Sequence, residues 1–452
     1  MSSILIKNIR EIITMDEERN RFKGYDLLIE DKQISKIAEN IDYKAGEVID
    51  GSDYFLFPGL INTHHHFYQT LTRNIGQVQN VELFDWLKYL YPIWANLTPE
   101  AVYYSTLLAC GELLKTGCTT ASDHFYVFPH SQPDNLLDHQ FEAAAEIGIR
   151  FHGSRGSMSL SEKDGGLPPD EVVQTSDEIL KDSQRVIEKF HGSDPLAMQR
   201  VVLSPCSPFS VTEDLMKESI KLGREYGVQS HTHVAETRDE EQFCIDTFGL
   251  RPLEYMEKVG WVGEDVWYAH GIHLTEDELD RMAETGTGVA HCPVSNQKLA
   301  SGAAKVPYML GNDVPVGLAV DGSASNDSSN MILEMKAAFL MHRLISGISS
   351  ITAEDVLSLA TNGGRDLLNQ PAIGSLEEGK AADMFLVDSQ RLGFAGGLSD
   401  PVSALVNTGD TQIVDYTIVN GKIVVRDGKL VTVDENEIIA EANRISREMI
   451  KG

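Results

Sequence analysis

Cysteine is scarce and scattered in this chain. Cys110, Cys118, Cys206, Cys244 and Cys292 are its five cysteines; they are odd in number, far apart and form no CxxC pair. That pattern excludes a disulfide framework and a zinc ribbon, and it implies reduced thiols in a cytoplasmic protein. Long hydrophobic runs are missing too. No window approaches the roughly 18 apolar residues of a membrane helix, and charge interrupts MSSILIKNIREIITMDEERN too often for a signal peptide. No GxGxxG follows a candidate strand and no P-loop occurs, so nothing supports a nucleotide cofactor. Basic residues are in deficit: 38 Lys and Arg stand against 68 Asp and Glu, a net charge of −30. Such a surface repels phosphate backbones and anionic lipid, which argues against nucleic acid and membrane as partners.

The composition otherwise describes a globular enzyme. The chain has 452 residues and 42% apolar content, room for one large α/β barrel and a smaller module. The first 56 residues carry short β-rich runs at Ile4–Ile6, Asp26–Glu30 and Ile34–Ile37. The same texture returns at Asp383–Asp388 and Val414–Val425, where Asn420-Gly421 is a strong hairpin signal and Asp427-Gly428 a second tight turn. Between them, short apolar strands ending near His64, Asp123, Arg155, Cys206, His233, His270, His291 and Asp321 alternate with helical stretches such as Pro99–Leu114, Leu136–Ile147, Thr212–Tyr226, Thr275–Ala283 and Ser329–Arg343. Eight such units predict an α/β fold, a (β/α)8 TIM barrel over residues 58–365. Residues 1–57 and 366–452 are expected to form one β-sandwich module from both chain ends, plus a terminal helix. A last barrel helix, Ala353–Ala360, is expected to run into a turn at Asn362-Gly363-Gly364. The stretch Gly165–Pro169 reads as an exposed loop after strand three, a lid, a subunit contact or an inert loop.

Chemistry concentrates at the predicted strand ends, where barrel active sites sit. Pro58-Gly59 marks the entry to a strand that runs into His64-His65-His66. If the strand continues, the period of two puts His64 and His66 on one face and His65 on the other, and two adjacent imidazoles can grip one divalent metal. In Val228–Thr237 a second strand ends in His231 and His233 with Glu236 beyond. One of these histidines is a natural third ligand, and the carboxylate stands within reach of whatever the metal binds. His270 ends a third strand. Asp321 ends an apolar strand in Val314–Ser323, and a buried acid there needs a metal or a cationic partner.

Together PGLINTHHH, HTHVAET, AHGIH and VDGSASND resemble the amidohydrolase superfamily, and more narrowly its nucleobase-deaminase and chlorohydrolase branch. The resemblance spans essentially the whole chain. HHHFYQTLTR, RGSMSL with GGLPP, SPCSPFSVT and DGSASNDSSN are similar to its 8-oxoguanine-deaminating members. The resemblance implies that His64, His66, His233 and Asp321 hold the metal, with His231 a neighbour. It implies that Glu236 shuttles protons, and that His270 stands beside the bound water with Asp321 as base. Two-metal members carry a lysine at the end of strand four; Ser204-Pro205-Cys206 offers none, so one divalent metal is expected, zinc first, with iron and manganese also accepting such ligands.

The implied reaction is metal-dependent hydrolytic deamination of an amino-oxo purine-like heterocycle, 8-oxoguanine to uric acid and ammonia. Deamination of a pterin such as isoxanthopterin, or hydrolysis of a substituted s-triazine, is the alternative. Weaker expectations concern substrate contacts. Gln69 could pair with a purine edge, Arg155 could fork onto a carbonyl, Cys206 could line the pocket, and Trp94 could stack on the ring. His124 is as readily a structural histidine as a site residue, and His291 is expected to support strand seven. A homodimer or higher homo-oligomer is expected, with no interface legible.

Overall fold

The computed structural model describes residues 2–409 and 413–451. Eight strands form one parallel sheet in chain order: β1 (Leu60–Asn62), β2 (Cys118–Phe125), β3 (Arg150–Ser157), β4 (Gln199–Pro205), β5 (Gln229–Val234), β6 (Val266–His270), β7 (Gly288–His291) and β8 (Val316–Leu318). The first and last strands meet. Thr63 donates from its backbone N–H and its hydroxyl to the Leu318 carbonyl at 3.2 and 3.0 Å, and the Asn62 side chain accepts from Val320 N at 3.0 Å. The sheet therefore curls into a nearly closed (β/α)8 barrel. Most positions in these strands are buried, because one face lines the interior and the other is covered by helices.

The helices are cut by local signals. Thr98 caps Pro99–Lys115, accepting from Ala101 N, with proline at the first helical position where no N–H is needed. Thr175 and Glu178 form a capping box that opens Ser176–Phe190. The helix Leu83–Trp94 follows β1 and lies over the barrel mouth.

Both chain ends build a two-sheet module. A four-stranded sheet pairs Gln33–Ala38, Tyr25–Glu30, Ser3–Ile9 and Glu47–Asp50. A seven-stranded sheet joins Tyr54–Pro58 antiparallel to Met384–Asp388, with Phe57 opposite Phe385 and their rings stacked at 5.2 Å. Ile4, Leu27 and Ile34 of one sheet pack with Leu56, Met384 and Ile418 of the other, which makes the module a sandwich. Asn420 and Gly421 have φ of 49° and 76°, as a two-residue hairpin loop requires, and Tyr416–Val419 pairs with Lys422–Arg426 across it.

Three local expectations are corrected. Asn362-Gly363-Gly364 is no turn: the chain passes from Ala353–Ser358 through a π-helical turn, Leu359–Gly363, into Gly364–Leu367. The glycines are there for contact, since a Cβ on Gly363 would lie 2.0 Å from the Val316 carbonyl oxygen and one on Gly364 2.7 Å from Ile61. Pro58 ends a strand of the sandwich, and Gly59 is the single residue between it and β1. Finally, β1 stops at Asn62, so His64–His66 follow the strand.

Candidate active site

The three histidines after β1 are stitched to their neighbours by backbone. The His64 carbonyl accepts from Asp321 N at 3.1 Å and the His65 carbonyl from His124 N at 2.7 Å. Asp123, at the end of β2, accepts from Phe67 N at 2.6 Å and from the Gln140 amide at 2.8 Å. His65 turns away to Ser329 Oγ, 2.9 Å distant. His64 and His66 converge on the barrel axis with His233, which follows from this anchoring and not from strand alternation.

Hydrogen bonds to carbonyls decide which ring nitrogens carry protons, because a carbonyl can only accept. His66 Nδ1 donates to the His124 carbonyl at 2.7 Å, and His233 Nδ1 to the Cys206 carbonyl at 2.6 Å. His231 Nδ1 donates to the Trp267 carbonyl at 2.9 Å, so its Nε2 accepts from His64 Nδ1 at 2.7 Å. All three inner nitrogens, Nε2 of His64, His66 and His233, are left with lone pairs. Burial and mutual repulsion push all three rings below the ordinary histidine pKa, which keeps them neutral.

These lone pairs converge with a carboxylate. His66 Nε2 and His233 Nε2 are 3.2 Å apart, and Asp321 Oδ1 lies 3.3 Å from His64 Nε2 and 3.4 Å from His66 Nε2. A tetrahedron of ligands at zinc distances of about 2.0–2.1 Å has edges of about 3.3–3.4 Å. Two lone pairs cannot hydrogen-bond each other, and His64 Nε2 has no hydrogen-bond partner at all. The donor set therefore fits a divalent cation. Burial opposes the Asp321 charge, but the neighbouring His64, His270 and His66 hold its carboxyl well below the usual range. Its Oδ2 accepts from Ser295 Oγ at 2.5 Å and Ser325 Oγ at 3.1 Å.

Two further buried titratable groups, Glu236 and His270, stand beside this centre. Glu236 Oε2 is 3.5 Å from His270 Nε2, and His270 Nδ1 is 3.0 Å from Asn296 Oδ1. Burial pushes the Glu236 carboxyl up to about 7, with Asp321 and Glu240 adding to the effect against His270. Burial lowers the His270 pKa, but Glu236 and Asp321 outweigh it and the net shift is upward. Ala235, His270 and Asp321 have φ of 56°, 73° and 62°. Left-handed backbone at non-glycine residues at or just beyond the ends of β5, β6 and β8 is strain of about 1–3 kcal/mol each.

The model of the amidohydrolase family matches residues 55–424. The chain belongs to the amidohydrolase family. It is 46% identical over 403 residues to the 8-oxoguanine deaminase of Pseudomonas aeruginosa, covering 89% of each chain. It is 37% identical to the hydroxydechloroatrazine ethylaminohydrolase of Pseudomonas sp. strain ADP, covering 100% of this chain and 97% of the other. The structure of the atrazine chlorohydrolase of Arthrobacter aurescens TC1, complexed with zinc, superposes with a TM-score of 0.94 at 29% identity, over 98% of this chain and 100% of that one.

In this amidohydrolase the mouth narrows to a cavity whose floor is His66, His233, His270, Asp321 and Glu236. Gln69 and Cys206 reach its wall. Gln69 Oε1 has no hydrogen-bond partner, and its amide lies so close to Gly322 that a Cβ there would be 1.9 Å from Oε1. Burial pushes the Cys206 thiol up to about 12, so it lines the wall as an uncharged group.

Two expected substrate contacts are elsewhere. Arg155 points out of the barrel: its Nε donates to Asp182 at 2.6 Å, its Nη2 to Gln174 at 2.8 Å, and its guanidinium covers the Phe128 ring at 3.8 Å. Trp94 is buried in the core with its Nε1 donating to Thr72 Oγ1 at 3.1 Å. Trp86, earlier in the same helix, lines the cavity instead, with Tyr126, Phe209 and Ser325. An aromatic on the inner face of a helix after β1 was the available signal.

His124 donates from Nε2 to the Ser204 carbonyl at 2.8 Å and supports the cluster through its own backbone. His291 pairs with His342 at 3.0 Å behind β7. None of residues 165–169 lines the cavity. All five cysteines are buried and unpaired. Among the described residues no helix is long and apolar enough to cross a membrane.

Proposed function

We propose that this amidohydrolase deaminates an amino-oxo, purine-like heterocycle, with 8-oxoguanine as substrate and uric acid and ammonia as products. Glu236 carries the reading. A buried carboxyl with its pKa near 7 holds a proton at neutral pH and can release it, which is what an acid facing a ring nitrogen must do. The 46% identity to an 8-oxoguanine deaminase supports the choice of ring.

His64, His66, His233 and Asp321 would hold one divalent metal, zinc first. When bound, such an ion lowers the pKa of water to about 7 and so supplies the nucleophile at neutral pH. Asp321 and His270 orient the attacking water and accept its proton. Glu236 protonates the ring nitrogen beside the amine-bearing carbon. It then takes the hydroxyl proton of the tetrahedral adduct and passes it to the departing amine, so that C–N cleavage releases ammonia and leaves a carbonyl at C2. The wall formed by Trp86 and Phe209 presents flat apolar surface to a planar ring, and the Gln69 amide offers a polar contact to its edge.

The 37% identical ethylaminohydrolase supports a second reading, hydrolysis of a substituted s-triazine with an alkylamine leaving. The same acid and base serve both. Ammonia release from the purified, zinc-loaded protein is to be measured with 8-oxoguanine, guanine, isoxanthopterin and an amino-triazine. Fast release from 8-oxoguanine with urate appearing in the ultraviolet spectrum is expected. Release from another ring moves the specificity, and silence across the panel with metal bound overturns the deaminase reading.

A further inference from the structure

We propose that Ser295 and Asn296 are a pair of positioning residues that set the two groups accepting the proton of the attacking water. Both belong to the short helix Pro293–Lys298 after β7. Both are buried, and neither lines the substrate cavity, so each acts through another residue. The chemistry rests on the hydrolytic reading above; the geometry stands by itself.

Ser295 Oγ donates to Asp321 Oδ2 at 2.5 Å. That oxygen is thereby tied to the segment after β7, while Oδ1, which accepts from Gly322 N at 2.6 Å, faces His64 and His66. Asn296 Oδ1 is 3.0 Å from His270 Nδ1. An amide oxygen only accepts, so the His270 Nδ1 carries hydrogen and its Nε2 is turned toward Glu236. Successive residues of a helix point about 100° apart, which lets two neighbours reach two different targets. The polarity is matched in each case: a hydroxyl donor meets the carboxylate and a carbonyl acceptor meets the N–H. Exchanging the two residues would leave both targets badly served.

The segment is itself held. Val294 N donates to Glu334 Oε2 at 3.2 Å, and Glu334 Oε1 accepts from Asn326 Nδ2 at 2.6 Å. Lys298 bonds to the Ala324 carbonyl at 3.2 Å and pairs with Asp327. The stretch after β7 is thus clipped to the loop after β8, and Asp321 and His270 are referenced to one rigid piece. Asn296 Nδ2 has no partner, so the amide is used through its oxygen alone.

The test compares Asn296→Leu, Asn296→Asp, Ser295→Ala and Ser295→Thr with wild type, all zinc-loaded, using 8-oxoguanine as substrate. Expected for Asn296→Leu is retained zinc, KM within about threefold and a kcat loss of about a hundredfold, the scale of a misplaced proton acceptor. Asn296→Asp keeps the accepting oxygen and should recover about tenfold or more of that loss. Ser295→Ala should lose about tenfold, since Ser325 still donates, and Ser295→Thr should restore it. A crystal structure of zinc-loaded Asn296→Leu, or of Asn296→Ala where the leucine variant does not fold, should show the His270 ring turned from Glu236. An unmoved His270 ring, or Asn296→Asp no better than Asn296→Leu, overturns the proposal. A wild type silent on the whole substrate panel overturns the function reading, and the crystal structure then decides the positioning role.

Discussion

Arg150 and His64 are both fully buried, one at the start of β3 and the other just beyond the end of β1. Arg150 is saturated. Its Nε donates to Asp383 at 3.1 Å, its Nη1 to the Leu196 and Ala197 carbonyls at 3.0 and 2.6 Å, and its Nη2 to Asp383 and Asn420 at 3.3 and 3.4 Å. It ties the barrel to the C-terminal part of the sandwich. His64 has one nitrogen bonded to His231 and the other bonded to nothing, and two further imidazole lone pairs face the same point. A buried polar group with every partner in place holds elements together; several buried groups left short, aimed at one spot, mark a place for an incoming ligand. Arg155, with Asp182, Gln174 and Phe128 around it, falls in the first class although it lies toward the mouth.

Four experiments break or sharpen that contrast. Glu236→Gln should keep its metal by elemental analysis and lose about 10²–10⁴-fold in turnover, because an amide cannot shuttle a proton. A near-normal ammonia release would remove Glu236 from the chemistry. Arg150→Ala should destabilise by about 3–5 kcal/mol in urea titration, because Asp383 loses its buried cation, while its zinc content matches wild type. For Arg155→Ala the discriminating quantity is KM: a lining residue would raise it, whereas a change below about threefold with a lowered urea midpoint is expected here. His231→Phe removes the acceptor that orients His64 and should weaken zinc about 10–100-fold in chelator competition.

The pH dependence is the gentlest probe. In the proposed reaction Glu236 acts as an acid, and burial pushes its carboxyl to about 7, so the protonated form is lost as pH rises. Turnover should then fall on the alkaline side, by about tenfold per pH unit well above that value. That limb should be absent in the residual activity of Glu236→Gln. A flat profile from pH 6 to 9 in the wild type would show that Glu236 does not titrate in the rate-limiting step.

The amino-acid sequence by itself carried the barrel and the sandwich. Eight apolar runs separated by amphipathic stretches leave few parallel topologies, and Asn420-Gly421 specifies a hairpin through backbone freedom alone. Its pattern of polar residues after apolar strands also singled out His64, His66, Glu236, His270 and Asp321 as candidates but left His231 and His233 open; the resemblance chose His233, and the structure brings these side chains together. It did not carry the direction in which Arg155 points. Strand alternation puts Arg155 opposite Ser154, which pairs with His124 across the barrel sheet, but both faces of these strands are buried and the pattern does not say which is the interior. For the same reason Trp86 and Trp94 could not be told apart before the helix docked. The tautomers of the three imidazoles, and the reach of Ser295 and Asn296 to Asp321 and His270, depend on carbonyls and side chains tens of residues away. Only the closed barrel brings those partners within hydrogen-bonding distance.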